Sequence, residues 1–286
     1  MDIVWLGQAA CGDCALIGGK GASLCHLAAD YHIPPTFCVT AAAFTRWVAQ
    51  VDTVRGRLPG PLYAQVEQAY RQMVADNAGV APRVAVRSSA VDEDGPTASF
   101  AGQHQTFLNI IGVDAVAQAV AGCWVSARSP QALAYRRQQR LRPHTPMAVL
   151  VQRLVVADVA AVVFTANPVS GSRDEMVINA SWGLGESIAS GVVTPDTFVV
   201  RKADLEVIRC AVGCKERMTV PALTGTRTVS VPRLMRRQPS LSEDRLLAVA
   251  SLGLALEQWM GRPVDVECAY SGQTLYLLQC RPITTV

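Results

Sequence analysis

Charge is scarce in this chain. Only 17% of its 286 residues are Asp, Glu, Lys or Arg, and 26 basic residues nearly balance 23 acidic ones. No broad field of one sign argues for nucleic acid or an anionic membrane surface. Long uninterrupted apolar runs are missing too. The best candidate, residues 147–166, carries Gln152, Arg153 and Asp158, which argues against a membrane-spanning helix and predicts paired β-strands. The start, Met-Asp-Ile-Val-Trp-Leu-Gly, lacks the basic opening and long apolar run of a secretory signal. Together these absences predict a soluble, cytoplasmic protein with neither nucleic acid nor membrane as a partner. Histidine is rare, at 4 residues, and the 9 cysteines are an odd set in mostly apolar settings. Cys11/Cys14 and Cys210/Cys214 have loose metal-like spacing, but zinc would need the pairs to converge. Reduced, packed thiols are the expectation.

Half of the chain is hydrophobic, enough for a sizeable core and two domains or lobes. Gly18-Gly19-Lys20-Gly21 opens an amphipathic helical segment over 23–31. Residues 37–39 read as a short strand, 41–51 and 62–77 as helices, and Val84-Ala85-Val86 as a buried strand delivering Arg87-Ser88-Ser89. A polar loop over 90–103 precedes a strand at 106–110, and 113–126 and 130–140 read as helices. The second half is richer in strands: 148–154, 160–164, 175–179, 197–201 and 207–212. Trp182 to Glu186 is a glycine-rich turn into a short helix, and a long helix over 242–260 has Ser242 as its cap. Mixed helices and strands, many in antiparallel pairings, predict an α+β enzyme.

The closing stretch, Glu267 to Pro282, reads as a hairpin turning at Ser271-Gly272. Residues two apart on a strand share a face, so Gln279 and Arg281 project together, and Glu267 joins them if the strands pair in register. A carboxylate, an amide oxygen and a fixed cation suit a magnesium-bound polyphosphate; an ordinary surface hairpin is the alternative. Gly18 to Gly21 places flexible amides and a lysine at a helix start, an arrangement that favours anions but also fits a simple turn. The spaced glycines of a Walker A loop are absent. A rigid guanidinium at the end of a buried strand, Arg87, with two hydroxyls after it, is poorly explained by packing, although it could satisfy a buried carboxylate. The loop Ala98 to Gln103 has the small residues of a flap that closes on phosphates, or of a mobile surface loop.

The segments IGGKGASL, VAVRSSAVDEDGPTASFAGQHQTFLNI, VQRLVVADVAAVVFTANPVSGSRDE, INASWGLGESIASGVVTPDTFVV and VDVECAYSGQTLYLLQCRPIT resemble, over nearly the whole chain, one known domain. It is the nucleotide-binding domain of phosphoenolpyruvate synthase, pyruvate phosphate dikinase and rifampicin phosphotransferase. The resemblance implies an ATP-grasp-like α+β fold with ATP in the cleft between two lobes, residues 1–148 and 149–286, and magnesium as the second cofactor. It implies polyphosphate contacts for Lys20 and Arg87, places Gly102 and Thr106 with the phosphate-covering loop, and puts Gln152 at the adenine crossing. Glu267 and Gln279 match the metal-binding pair, and Arg281 the arginine beside the transferring phosphates, making Arg87 and Arg281 the catalytic candidates. Phe100, Trp182 and Pro195 read as packing and turn residues. Cys268 departs from the family's usual aromatic, Cys280 lies between Gln279 and Arg281, and Asp92 to Pro96 varies its acidic loop; none removes a ligand.

Members of this family split ATP into AMP, phosphate and a phosphohistidine on a separate swivelling domain, which then phosphorylates pyruvate or another small acceptor. None of His26, His32, His104 and His144 has the Thr-Ser-His-like flanks of that carrier. His26 reads as a helical, partly buried residue, His32 and His144 as loop residues near prolines, and His104 as part of the phosphate-loop region. The expected partner is therefore a phosphohistidine domain in trans or on the remainder of a longer chain, together with a small-molecule acceptor. Two alternatives stand beside this: a stand-alone kinase acting on a small-molecule amine, guanidine or hydroxyl, and a non-catalytic ATP-binding subunit.

Overall fold

The computed structural model describes residues 1–52, 56–91, 105–138 and 145–283. They form two compact α+β units. Unit 1 comprises Met1–Asp30, Pro34–Leu154 and Leu223–Gly225; unit 2 comprises Tyr31–Ile33, Val155–Ala222 and Thr226–Val286.

Unit 1 runs β1 (Ile3–Trp5), α1 (Cys14–Leu27), β2 (Thr36–Val39), α2 (Ala41–Trp47), α3 (Gly60–Ala75), β3 (Val84–Ala90), β4 (Thr106–Ile110), α4 (Val113–Ser126), α5 (Pro130–Gln138) and β5 (Met147–Arg153). Its strands make one sheet in the order β1-β2-β5-β3-β4, every neighbour antiparallel. Alternation sorts the side chains. Phe37, Val39, Val84, Val86, Ala90, Met147, Val149 and Val151 face a core completed by Leu62, Val66, Tyr70 and Met73 of α3 and Val116, Val120 and Trp124 of α4. Ala85, Arg87, Ser89, Leu150 and Gln152 therefore fall on the opposite face, where α1 lies against β3.

Unit 2 runs β6 (Val159–Phe164), β7 (Glu175–Trp182), α6 (Glu186–Ala189), β8 (Asp196–Arg201), β9 (Val207–Ala211), β10 (Arg217–Pro221), β11 (Thr226–Ser230), α7 (Glu243–Met260), β12 (Val264–Ser271) and β13 (Thr274–Pro282). Six strands form an antiparallel sheet, β13-β12-β6-β7-β8-β9, and β10-β11 is a separate hairpin. In cross-strand register, Cys280, Val266, Val163, Ile178 and Phe198 make a buried row. Helix α7 packs on that side: a Cβ on Gly253 would stand 3.0 Å from Val163 Cγ1. Ser242 caps α7, accepting from the Arg245 amide as expected.

Several expectations change. The apolar runs near 150 and 162 are both strands, but not partners: β5 pairs with β2 and β3, and β6 with β12 and β7. Local apolarity reports burial, not pairing. Strand β5 belongs whole to unit 1, whose main segment runs from Pro34 to Leu154. Helix α1 begins at Cys14, capped by Asp13, and continues past the Gly-Gly-Lys-Gly turn. The helix is broken there: Gly18 is non-helical, and a second helical stretch opens at the Gly-Gly-Lys-Gly turn, as expected. Cys11 and Cys25 form a disulfide, against the expectation of reduced thiols, while Cys38, Cys123, Cys268 and Cys280 are buried and lie outside any disulfide. Strand β1, three residues long, and the β10-β11 hairpin, with five residues a strand, were too short to be read from sequence.

Candidate functional site

Among the described residues, the unit 1 candidates Lys20, Arg87, Thr106 and Gln152 converge on the α1 side of its sheet. Arg87 pairs across the sheet with Thr106 on one side and Leu150 on the other, and Gln152 pairs with Ala85 and Thr36. Directly opposed residues and residues two apart share a face, so Arg87, Thr106 and Gln152 lie on one surface. Thr106 is exposed and Arg87 half-buried. Gln152 is 3% exposed, and its Nε2 has no hydrogen-bond partner among the described residues. A buried amide without a partner costs about 1–3 kcal/mol, and a ligand with an acceptor edge would relieve it. Lys20 approaches from α1, its Nζ donating to the Ser88 carbonyl at 3.4 Å.

The reason the kink sits where it does is steric. Gly18 has φ 73° and ψ 169° inside the helix, and a Cβ there would stand 2.3 Å from both the carbonyl oxygen and Oγ of Ser89. Only glycine fits, on conformation and on space. The two motifs read separately from the sequence, Gly-Gly-Lys-Gly and Val-Arg-Ser-Ser, are in direct contact.

In unit 2 the hairpin pairs as anticipated, with Glu267 opposite Gln279 and Asp265 opposite Arg281. The turn is centred on Gly272 and Gln273, one residue later than expected, with Gly272 at φ 57°. A register shift follows Glu267, where the partner steps from Gln279 to Leu277. The row continues across the sheet through Val162, Asn179 and Thr197, and Thr197 Oγ1 donates to Asn179 Oδ1 at 2.9 Å. Unlike the buried row beside it, this one is mostly half-open; Gln279 is the buried member.

Asp265 is the participant that sequence reasoning missed. Its Oδ2 accepts from Arg281 Nε at 2.8 Å and from Nη2 at 2.6 Å, holding the guanidinium on the face shared with Glu267 and Gln279. The signal was present: Asp-Val-Glu puts two carboxylates two apart on a strand, hence on one face. The neighbouring Cys268 thiol stays neutral at ordinary pH. Burial pushes Cys268 up to about 12, with the Glu267 charge adding to it.

Among the described residues no group of three or more His, Cys, Asp or Glu is placed to hold a metal ion. The donor set at Glu267 and Gln279 is correspondingly sparse. It suits magnesium, which takes one or two protein oxygens and fills its octahedron with phosphate and water. Gly102 lies outside the described residues, as do Phe100, His104, His144 and residues 92–96. His26 hydrogen-bonds the Ala22 carbonyl within α1, and His32 sits 6.3 Å from the Tyr276 ring; neither joins the candidate residues. Trp182 packs, its Nε1 donating to the Met235 carbonyl at 3.2 Å.

Each of the two antiparallel α+β units thus bears cationic and amide groups on one face of its sheet. A family model described as the pyruvate phosphate dikinase AMP/ATP-binding domain matches residues 49–286. The chain belongs to that family. It is 38% identical to a probable phosphoenolpyruvate synthase of Methanocaldococcus jannaschii, over 99% of this chain and 27% of the relative. It is 36% identical to a rifampicin phosphotransferase of Streptomyces sviceus, over 95% of this chain and 34% of the relative. The prodigiosin synthesizing transferase PigC of Serratia marcescens is also 36% identical, over 94% of this chain and 32% of the relative. The chain thus spans about a third or less of these relatives' length.

Proposed function

We propose that this chain is the ATP-grasp-like, ATP-dependent module of a phosphotransferase. It binds Mg-ATP and passes a phosphoryl or pyrophosphoryl group to a histidine carried on a separate swivelling domain, with AMP and phosphate as the other products. The phosphohistidine then serves pyruvate or another small acceptor. The observation that carries this reading is the register of the last hairpin: Glu267 opposite Gln279, with Arg281 held beside them by Asp265.

The residues divide the work. Lys20 and Arg87 grip the polyphosphate from unit 1, Gly102 and Thr106 belong to the segment that covers it, and Gln152 offers its amide to the base. Glu267 and Gln279 hold magnesium, which when bound neutralises part of the charge that develops as the phosphoryl group leaves. Arg281, fixed by Asp265, presents a cation to the same charge without having to reorganise. Phosphoryl transfer asks little covalent chemistry of the protein, so positioning and charge suffice.

The test is a product assay with magnesium and radiolabelled ATP, on the chain alone and with a lysate of its source. AMP and phosphate formed only with lysate support a carrier histidine supplied by a partner. ADP with a labelled small molecule would replace this reading by direct kinase action, and absence of any Mg-ATP binding would sink both.

A further inference from the structure

In an uninterrupted α-helix the Gly21 amide would donate to the Ile17 carbonyl, four residues back. The Gly18 kink breaks that rung. Ser89 occupies the break: its Oγ donates to the Ile17 carbonyl at 2.8 Å and accepts from the Gly21 amide at 3.3 Å. One hydroxyl from β3 therefore serves as the missing helical hydrogen bond, using its single donor and one of its acceptor sites. Side-chain insertion into the i→i−4 ladder is an established cause of helix kinks. Ser89 is 0% exposed, so this hydroxyl has no route to a ligand.

We infer that Ser89 is a positioning residue, inserted into the broken rung of α1 to hold the Gly-Gly-Lys-Gly turn in its kinked form and Lys20 in place. The inference deepens, and rests on, the reading of Lys20 as a phosphate contact. Its physical basis is a competition between two ways of satisfying the same buried groups. With the hydroxyl present, Ile17 O and Gly21 N are both satisfied while Gly18 keeps its left-handed φ. Without it, both groups are orphaned unless Gly18 rotates into helical φ and lets them bond directly, which glycine can do at little steric cost. Ser89→Ala should thus straighten α1 and redirect Gly19 and Lys20, rather than unfold the unit. Because Ser89 shares its strand and its face with Arg87, the same clasp ties the lysine to the arginine.

The experiment compares wild type, Ser89→Ala, Lys20→Ala and the double variant of the full chain. Mg-ATP affinity is read by calorimetry, and hydrogen exchange in the peptide covering residues 14–27 is read by mass spectrometry. Ser89→Ala is expected to weaken Mg-ATP binding about tenfold, the equivalent of one rearranged hydrogen-bonded site, with altered exchange centred on that peptide. The double variant should bind no more weakly than Lys20→Ala alone, because the serine acts through the lysine. Unchanged exchange in Ser89→Ala, or effects that simply add in the double variant, would overturn the inference. Wild-type affinity in Lys20→Ala would instead remove Lys20 from the phosphate site, and the clasp would then stand or fall on the exchange result alone. Ser89→Cys, nearly the same volume but a weak hydrogen-bonding group, takes the place of alanine if that variant does not fold.

Discussion

At the scale of single residues, Asp265 and Arg281 show how a candidate side chain is held in place. Arginine carries about 2 kcal/mol of rotamer entropy, and two hydrogen bonds to one carboxylate oxygen remove much of that freedom before any ligand arrives. Asp265→Asn keeps the shape but offers Arg281 a neutral acceptor. It is expected to lower kcat/KM for ATP about 10- to 100-fold with Arg281 still present, and to leave the magnesium concentration for half-maximal rate unchanged. A large shift in that magnesium requirement would recast Asp265 as a metal ligand. The nominated side chains could be read from sequence because their types are chemically unusual in their settings, as with the guanidinium of Arg87 on a buried strand. The partner of Arg281 was overlooked because an Asp at the start of a strand looks like an ordinary polar flank until the register is known.

At the scale of elements, α7 and the β6-β7 surface meet through a glycine. Gly253 faces Val163, Thr165 and Met176, and the space is already filled at 3.0–3.9 Å. Gly253→Val would force the helix off the sheet, an overpacking change of about 1–3 kcal/mol, seen as a lower urea midpoint at unchanged m-value. A second fastening lies at β8. Asp196, fully buried, accepts from the Gly213 amide at 2.9 Å and from Ser240 N and Oγ at 2.7 Å each, and pairs with the equally buried Lys215. Lys215→Met would leave an uncompensated buried carboxylate, at a cost of about 3–5 kcal/mol. The loss should appear as a lower thermal midpoint, and should shrink if Asp196 is replaced by Asn at the same time. Strand β4 and helix α4 were legible to the residue. The β10-β11 hairpin was not: its strands are only five residues each, and β11 is largely exposed.

At the scale of the molecule, cysteine distribution gives a check on the fold. Cys14, Cys210 and Cys214 are exposed, whereas Cys38, Cys123, Cys268 and Cys280 are buried. A maleimide should react with the first group in the native protein and with the second only after unfolding, while Cys11 and Cys25 require a reductant as well. Burial also raises the Cys38 thiol, and it pushes Cys123 and Cys268 up to about 12, the Cys123 shift partly offset by the Lys20 charge. The unfolded chain therefore releases these protons near pH 9, where the folded chain still holds them. Stability is complete below that pH and falls as pH rises above it, by up to about 1.4 kcal/mol per pH unit for each thiol. Chemical denaturation at pH 8 and pH 10 measures the slope; equal midpoints would contradict the burial of these thiols.

What the sequence determined by itself was the chemistry on offer: a mixed α+β chain, a short list of cations, amides and carboxylates, and the face each strand presents, since strand periodicity is a local property. Tertiary structure decided which of these meet. It separated β5 and β6, adjacent in sequence, into different sheets, because hydrogen bonding across a sheet depends on long-range register that apolar content does not encode. It set the Gly18 kink against Ser89, 71 residues further along the chain by their numbering, because only close packing of α1 on β3 could replace a helical hydrogen bond with a side chain.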